Sequence, residues 1–131
     1  MIARPELLIT TLQRKVHLMA NMAITTLSNG ITKVQLTGRL DVTSVAGLEL
    51  KFTASLVPIS ARAVVDLSGI EFLGSMALRL FISSAKALKK HNGTLVLFGA
   101  SAAIQEVLDI SGLGAIMPVV PDLEAAVKAA L

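Results

Sequence analysis

Cysteine, tryptophan and tyrosine are absent from this chain, and phenylalanine occurs only four times in 131 residues. Without cysteine there is no disulfide, no thiol nucleophile and no thiolate metal site. That absence is compatible with the cytoplasm and with any other compartment. The scarcity of aromatics makes the core aliphatic and leaves little for recognition by stacking. Charge is sparse too: 16% of residues, with a formal net charge of +3 spread along the sequence. Such a balance slightly favours an acidic partner and decides nothing about nucleic acid. No apolar run approaches the roughly 18–20 residues that span a bilayer, so membrane insertion is not expected. Near the start, Leu7-Leu8-Ile9 is too short for a signal-peptide core, and Gln13-Arg14-Lys15 follows where that core would continue.

The chemistry of catalysis is also thin. Of the two histidines, His17 and His91, neither has a second ligand at metal spacing, so no metal and no cofactor are expected. Nothing resembles a nucleophile elbow, and Phe98-Gly99-Ala100-Ser101 lacks the spacing of a phosphate-cradling loop. Lys86, Lys89, Lys90 and His91 crowd the end of one helical stretch, as a basic patch or as a solvated end that complements the helix dipole. An enzyme is therefore the weak hypothesis, and a binding module the stronger one.

What the chain has in quantity is hydrophobic residues, 53% of the total, enough for one substantial core. Residues 1–21 stand apart. Leu8, Leu12, Val16 and Met19 fall at helical spacing, as a short amphipathic helix or as an extension beyond the domain. From residue 22 to 131 the pattern is that of one domain. Met22 to Leu27 and Ile31 to Leu36 alternate on either side of Ser28-Asn29-Gly30, a β-hairpin signal. The second strand ends in Thr37-Gly38-Arg39-Leu40-Asp41. Val45, Leu48, Phe52 and Leu56 then recur at helical spacing until Pro58. A buried strand at about 63–67, a loop, and a helix from about 75 to 91 follow. Asn92-Gly93 closes that helix, and Thr94 to Phe98 is another buried strand. Ser101 opens a helix that Gly112 ends, Ile116 to Val120 is a short strand, and Pro121 begins a final helix. The order β-β-α-β-α-β-α-β-α predicts an α/β domain with a mixed sheet.

The stretch Val64-Val65-Asp66-Leu67-Ser68-Gly69-Ile70-Glu71-Phe72-Leu73-Gly74-Ser75-Met76-Ala77-Leu78 runs from strand through loop into helix. It places the Ser75 hydroxyl where backbone N–H groups lack intrahelical partners. Such a serine is either a cap or a switch. Phosphorylated there, it would set about −1.5 to −2 charges against the positive end of the helix dipole. The fold tolerates that charge while a binding face around it is turned off. If Leu73, Met76 and Leu78 are exposed, they form an apolar docking surface beside Ser75.

Three stretches together resemble the STAS domain of bacterial anti-sigma factor antagonists. They are Leu36-Thr37-Gly38-Arg39-Leu40-Asp41, Val65 to Ser75, and Gly93-Thr94-Leu95-Val96-Leu97-Phe98-Gly99-Ala100-Ser101 followed by Leu108-Asp109-Ile110-Ser111-Gly112-Leu113. The resemblance covers about Met22 to Leu131. It implies a mixed sheet with helices packed on one face and no intrinsic catalysis. It also implies a cytoplasmic protein that binds an anti-sigma factor, often a serine kinase, and so frees a sigma factor for transcription. The kinase would phosphorylate Ser75 and a phosphatase would reset it, with Asp41, Leu73, Gly74, Ser75, Met76 and Leu78 forming the partner-binding set. The family's Asp-Ser-Ser/Thr-Gly pattern is altered here: Gly74 replaces the acidic residue, Met76 the second hydroxyl and Ala77 the glycine. Asp41 matches the family's acidic residue after the second strand, and serves equally as a helix cap. STAS proteins with such altered motifs also occur as accessory subunits of bacterial lipid-transport ABC systems, which is the alternative function.

Overall fold

The long central strand organises the sheet. In a computed structural model, which describes residues 21–131, β3 (Arg62–Leu73) lies between β2 (Thr32–Leu40) and β4 (Thr94–Phe98). β1 (Asn21–Thr26) and β5 (Val119–Val120) form the edges, giving the order β1-β2-β3-β4-β5. Only β1 runs antiparallel, as one arm of the hairpin through Gly30, whose φ of +83° suits glycine. The other pairs are parallel. Helices α1 (Val42–Leu56), α2 (Ser75–Lys90) and α3 (Ala102–Ser111) make the crossovers, and α4 (Leu123–Ala130) follows the last strand. Asn21 already belongs to β1. The rest of the expected extension, with its helical spacing, lies outside the described residues.

The α/β fold with its leading hairpin and mixed sheet is the one the sequence implies, but the helices do not all pack on one face, as the resemblance implied. Three successive right-handed crossovers that step across the sheet in one direction must put α1, α2 and α3 on one face. There Val34, Leu36, Val65, Leu67, Leu95 and Leu97 meet Phe52, Leu56, Phe81 and Leu88 in the main core. The Phe52 and Phe81 rings are 6.1 Å apart and tilted. α4 is not a crossover and is free of that rule. It packs on the opposite face, where Ala126 and Ala130 cover Val64, Val96 and Phe98. β3 and β4 are thus buried on both sides, which accounts for their continuous apolar runs.

The strand expected at about 63–67 continues to Leu73. Ser68-Gly69 reads as a turn in sequence, but β2 supplies pairing partners beyond it. Gln35 pairs with Asp66 and Arg39 with Phe72, so β3 carries two extra residues over that span, taken up in bulges. At the far end of α2 the left-handed residue is Asn92, φ +64°. Gly93 N–H donates to Leu88 O at 2.8 Å and Asn92 N–H to Lys89 O at 3.3 Å, the Schellman pattern. Gly93 is glycine for want of space: a Cβ there would lie 2.7 Å from Ala61 O.

Candidate functional site

Parallel pairing brings the carboxyl ends of β2 and β3 level, with Leu40 opposite Leu73. Each strand runs directly into a helix. The first turns of α1 and α2 therefore stand side by side, locked where Gly74 N–H donates to Leu40 O at 2.9 Å. This geometry gathers Asp41, Leu73, Gly74, Ser75 and Met76 at one end of the sheet, with Leu78 further along the first turn of α2.

The two helix starts differ chemically. Asp41 caps α1: its carboxylate accepts from Ser44 N–H at 3.0 Å, and Asp41 N–H donates to Ser44 Oγ at 3.0 Å. The Ser44 hydroxyl donates in turn to Arg39 O. The hydrogen bond from Ser44 N–H is the main reason the Asp41 carboxyl titrates below its ordinary value, with the Ser44 hydroxyl and the Arg39 charge acting the same way against partial desolvation. The capping role left open by the sequence is thus realised. At α2 the cap position belongs to Gly74, in extended conformation and with no side-chain cap hydrogen bond. Ser75 is the first helical residue rather than the cap. It is exposed, and its hydroxyl has no hydrogen-bond partner among the described residues. No acidic residue occupies the first turn of α2, so the N-terminal dipole there is uncompensated from within the helix.

The apolar surface is not the one expected. Leu73 is 5% exposed, because its register opposite Leu40 turns it into the helix-side core. Met76 and Leu78 are half-buried and pack against the same core. The exposed apolar groups at this end are Phe72, 40% exposed, and Val42, 68% exposed. Phe72 lies under the Arg39 guanidinium, 4.6 Å from ring centroid to Cζ. Its ring also borders Gly74, where an added Cβ would sit 3.2 Å from Phe72 Cε2 and 3.3 Å from Leu40 O. Sequence reasoning missed Phe72 because it treated 68–74 as a loop. The available signal was strand alternation continuing past Gly69, which would have put Phe72 and Leu73 on opposite faces. Val42 was missed because helical spacing was counted from Val45. Among the described residues no cluster of three His, Cys, Asp or Glu is placed to hold a metal.

Residues 22–126 match the STAS domain model. The chain belongs to the STAS domain family. The STAS chain is 32% identical over 101 residues to BtrV of Bordetella bronchiseptica, covering 77% of this chain and 87% of that protein. It is 33% identical over 91 residues to the anti-sigma-B factor antagonist of Staphylococcus epidermidis, covering 66% of this chain and 81% of the relative. Among solved structures it resembles an anti-sigma factor antagonist from Mycobacterium paratuberculosis, with TM-score 0.76 and 26% identity over 85% of this chain and 93% of the other. The fold alone is shared with unphosphorylated SpoIIAA, the anti-sigma factor antagonist, at TM-score 0.68 and 19% identity over 82% of this chain and 94% of the other. No helix among the described residues is long and apolar enough to cross a membrane.

Proposed function

We propose that this STAS protein is an anti-sigma factor antagonist: a non-catalytic, cytoplasmic binding module that sequesters an anti-sigma factor and so releases a sigma factor. The names of its relatives support the class. Ser75 carries the regulatory part: an exposed hydroxyl with no hydrogen-bond partner among the described residues, at the uncapped start of α2. A serine kinase, the anti-sigma factor itself, phosphorylates Ser75, and a phosphatase reverses it. The phosphate meets a positive helix end, so the domain stays folded. The docking face, built from Asp41, Val42, Phe72, Gly74, Ser75 and the exposed part of Met76, acquires about two negative charges and loses its fit.

The test is binding and phosphorylation with a kinase-type anti-sigma factor from the same organism. The unmodified protein and Ser75→Ala bind, and Ser75→Asp binds at least about tenfold more weakly, a difference of about 1.4 kcal/mol. With ATP, the kinase adds one phosphate at Ser75, read by mass spectrometry. Binding without phosphorylation removes the switch and keeps the antagonist. Co-purification with an ATPase and a permease in place of any anti-sigma factor overturns both, and makes the chain an accessory subunit of a lipid-transport ABC system.

A further inference from the structure

The charges of α2 are all of one sign. Its residues Ser75–Lys90 include Arg79, Lys86, Lys89 and Lys90 and no aspartate or glutamate. The lysines belong to its last two turns, and even Lys86 stands about 16 Å from Ser75 along the axis. Arg79 is different. It follows Ser75 by four positions, the spacing at which helical side chains meet, with Cβ atoms about 5–6 Å apart. Helical side chains lean toward the N-terminus, which directs Arg79 back over Ser75. Both residues are exposed. Among the described residues Arg79 makes no hydrogen bond, ion pair or ring contact, so its guanidinium is uncommitted. Arg39, the other cation at this end, is held over the Phe72 ring. The Asp41 carboxylate is engaged by Ser44 N–H.

We propose that Arg79 is the intramolecular partner of phosphorylated Ser75. The inference rests on Ser75 being the modified residue. When the Ser75 oxygen takes the γ-phosphoryl group of ATP, ADP leaves, the hydroxyl proton is released, and a dianion stands one turn before a free guanidinium. The order is the favourable one, anion N-terminal to cation. The planar guanidinium offers two N–H groups to two phosphate oxygens, a fork that a lysine lacks. Gly74 contributes no charge, so nothing within α2 repels the phosphate. Asp41 and Glu71 are the acidic groups near this end, and Arg79 offsets them from within the modified helix. The phosphorylated form is thus stabilised by α2 alone, with no other element displaced. Phosphorylation changes the docking end twice over: a neutral hydroxyl becomes an anion, and a free guanidinium becomes a paired one.

The test installs phosphoserine at position 75 of the full chain by genetic encoding, so that no kinase is needed. Phosphorus NMR titration reads its second pKa, ordinarily about 6. That value is lower in the parent than in Arg79→Gln by at least about 0.3 pH unit. The guanidinium favours the dianion, while Asp41, Glu71 and Arg39 act equally in both proteins. Arg79→Lys recovers part of the difference, since a point charge remains without the fork. Thermal unfolding closes a double-mutant cycle: phosphoserine shifts the midpoint upward by at least about 2 °C more in the parent than in Arg79→Gln. Equal pKa values in the parent and Arg79→Gln overturn the proposal, and so does a cycle with no coupling. Either result removes the pair and leaves the Ser75 switch standing. Failure of a kinase to modify Ser75 removes the switch and leaves the titration result unaffected.

Discussion

At the scale of single residues, position 74 separates this chain from the pattern it resembles. Glycine leaves α2 without a side-chain cap and Ser75 without a neighbouring carboxylate. Gly74→Asp would restore both. Its Cβ would press on the exposed Phe72 ring, which can move, and on Leu40 O, which cannot. The gain of a cap, a few tenths of a kcal/mol relative to glycine, offsets that crowding. The expected stability is within about 1 kcal/mol of the parent in urea unfolding, with altered phosphorylation of Ser75 by the kinase read as a rate. Gly93 has no such latitude. Gly93→Ala drives a methyl against the Ala61 carbonyl and costs about 1–3 kcal/mol by the same measurement. Asp41 adds a pH signature. Its folded pKa is lowered from the ordinary 3.8 by the Ser44 hydrogen bonds, so its contribution is complete above 3.8 and fades as pH falls through the lower folded value. Asp41→Ala is therefore less stable than the parent at pH 7, and the gap narrows below pH 3.8 in parallel unfolding series.

At the scale of elements, α2 joins the site at one end to the Schellman closure at the other. Its inner face is apolar except for Ser84, 2% exposed, whose hydroxyl finds no partner among the described residues. A buried, unpaired hydroxyl is a liability, and alanine is the better helix former. Ser84→Ala is expected to gain about 1 kcal/mol, seen as a higher urea midpoint with unchanged slope. Helical spacing from Ala77, Leu80 and Phe81 to Leu88 is enough to place Ser84 on that inner face. That its oxygen goes unpaired depends on neighbours from other elements. The same contrast runs through β3. Val64, Val65 and Leu67 announce a buried strand, whereas its extension to Leu73 depends on Thr37 to Leu40 of β2 offering hydrogen bonds.

At the scale of the whole molecule, the sheet is closed on one face by three helices and on the other by a single short one. α4 has eight residues and covers Val64, Val96 and Phe98. Helices that short are marginal in isolation and are held by packing. Deleting residues 122–131 would bare that apolar face. We expect the truncated chain to bind a hydrophobic dye strongly and to lose its cooperative thermal transition, whereas the parent chain does neither.

Local patterns were enough to set the succession of strands and helices, the hairpin turn, the cap at Ser101, the closing Gly112 and the position of Ser75 at the start of α2. Each depends on propensity, period or turn chemistry within a few residues. The tertiary structure decided what those patterns leave free. Strand register turned Leu73 inward and Phe72 outward, a single-residue alternation that two bulges set. The cap fell to Gly74, and Asp41 was engaged by Ser44. The side of the sheet taken by α4 was open as well, since crossover handedness governs only helices between parallel strands. Local chemistry thus put a serine at a helix start, and non-local pairing determined which groups surround it.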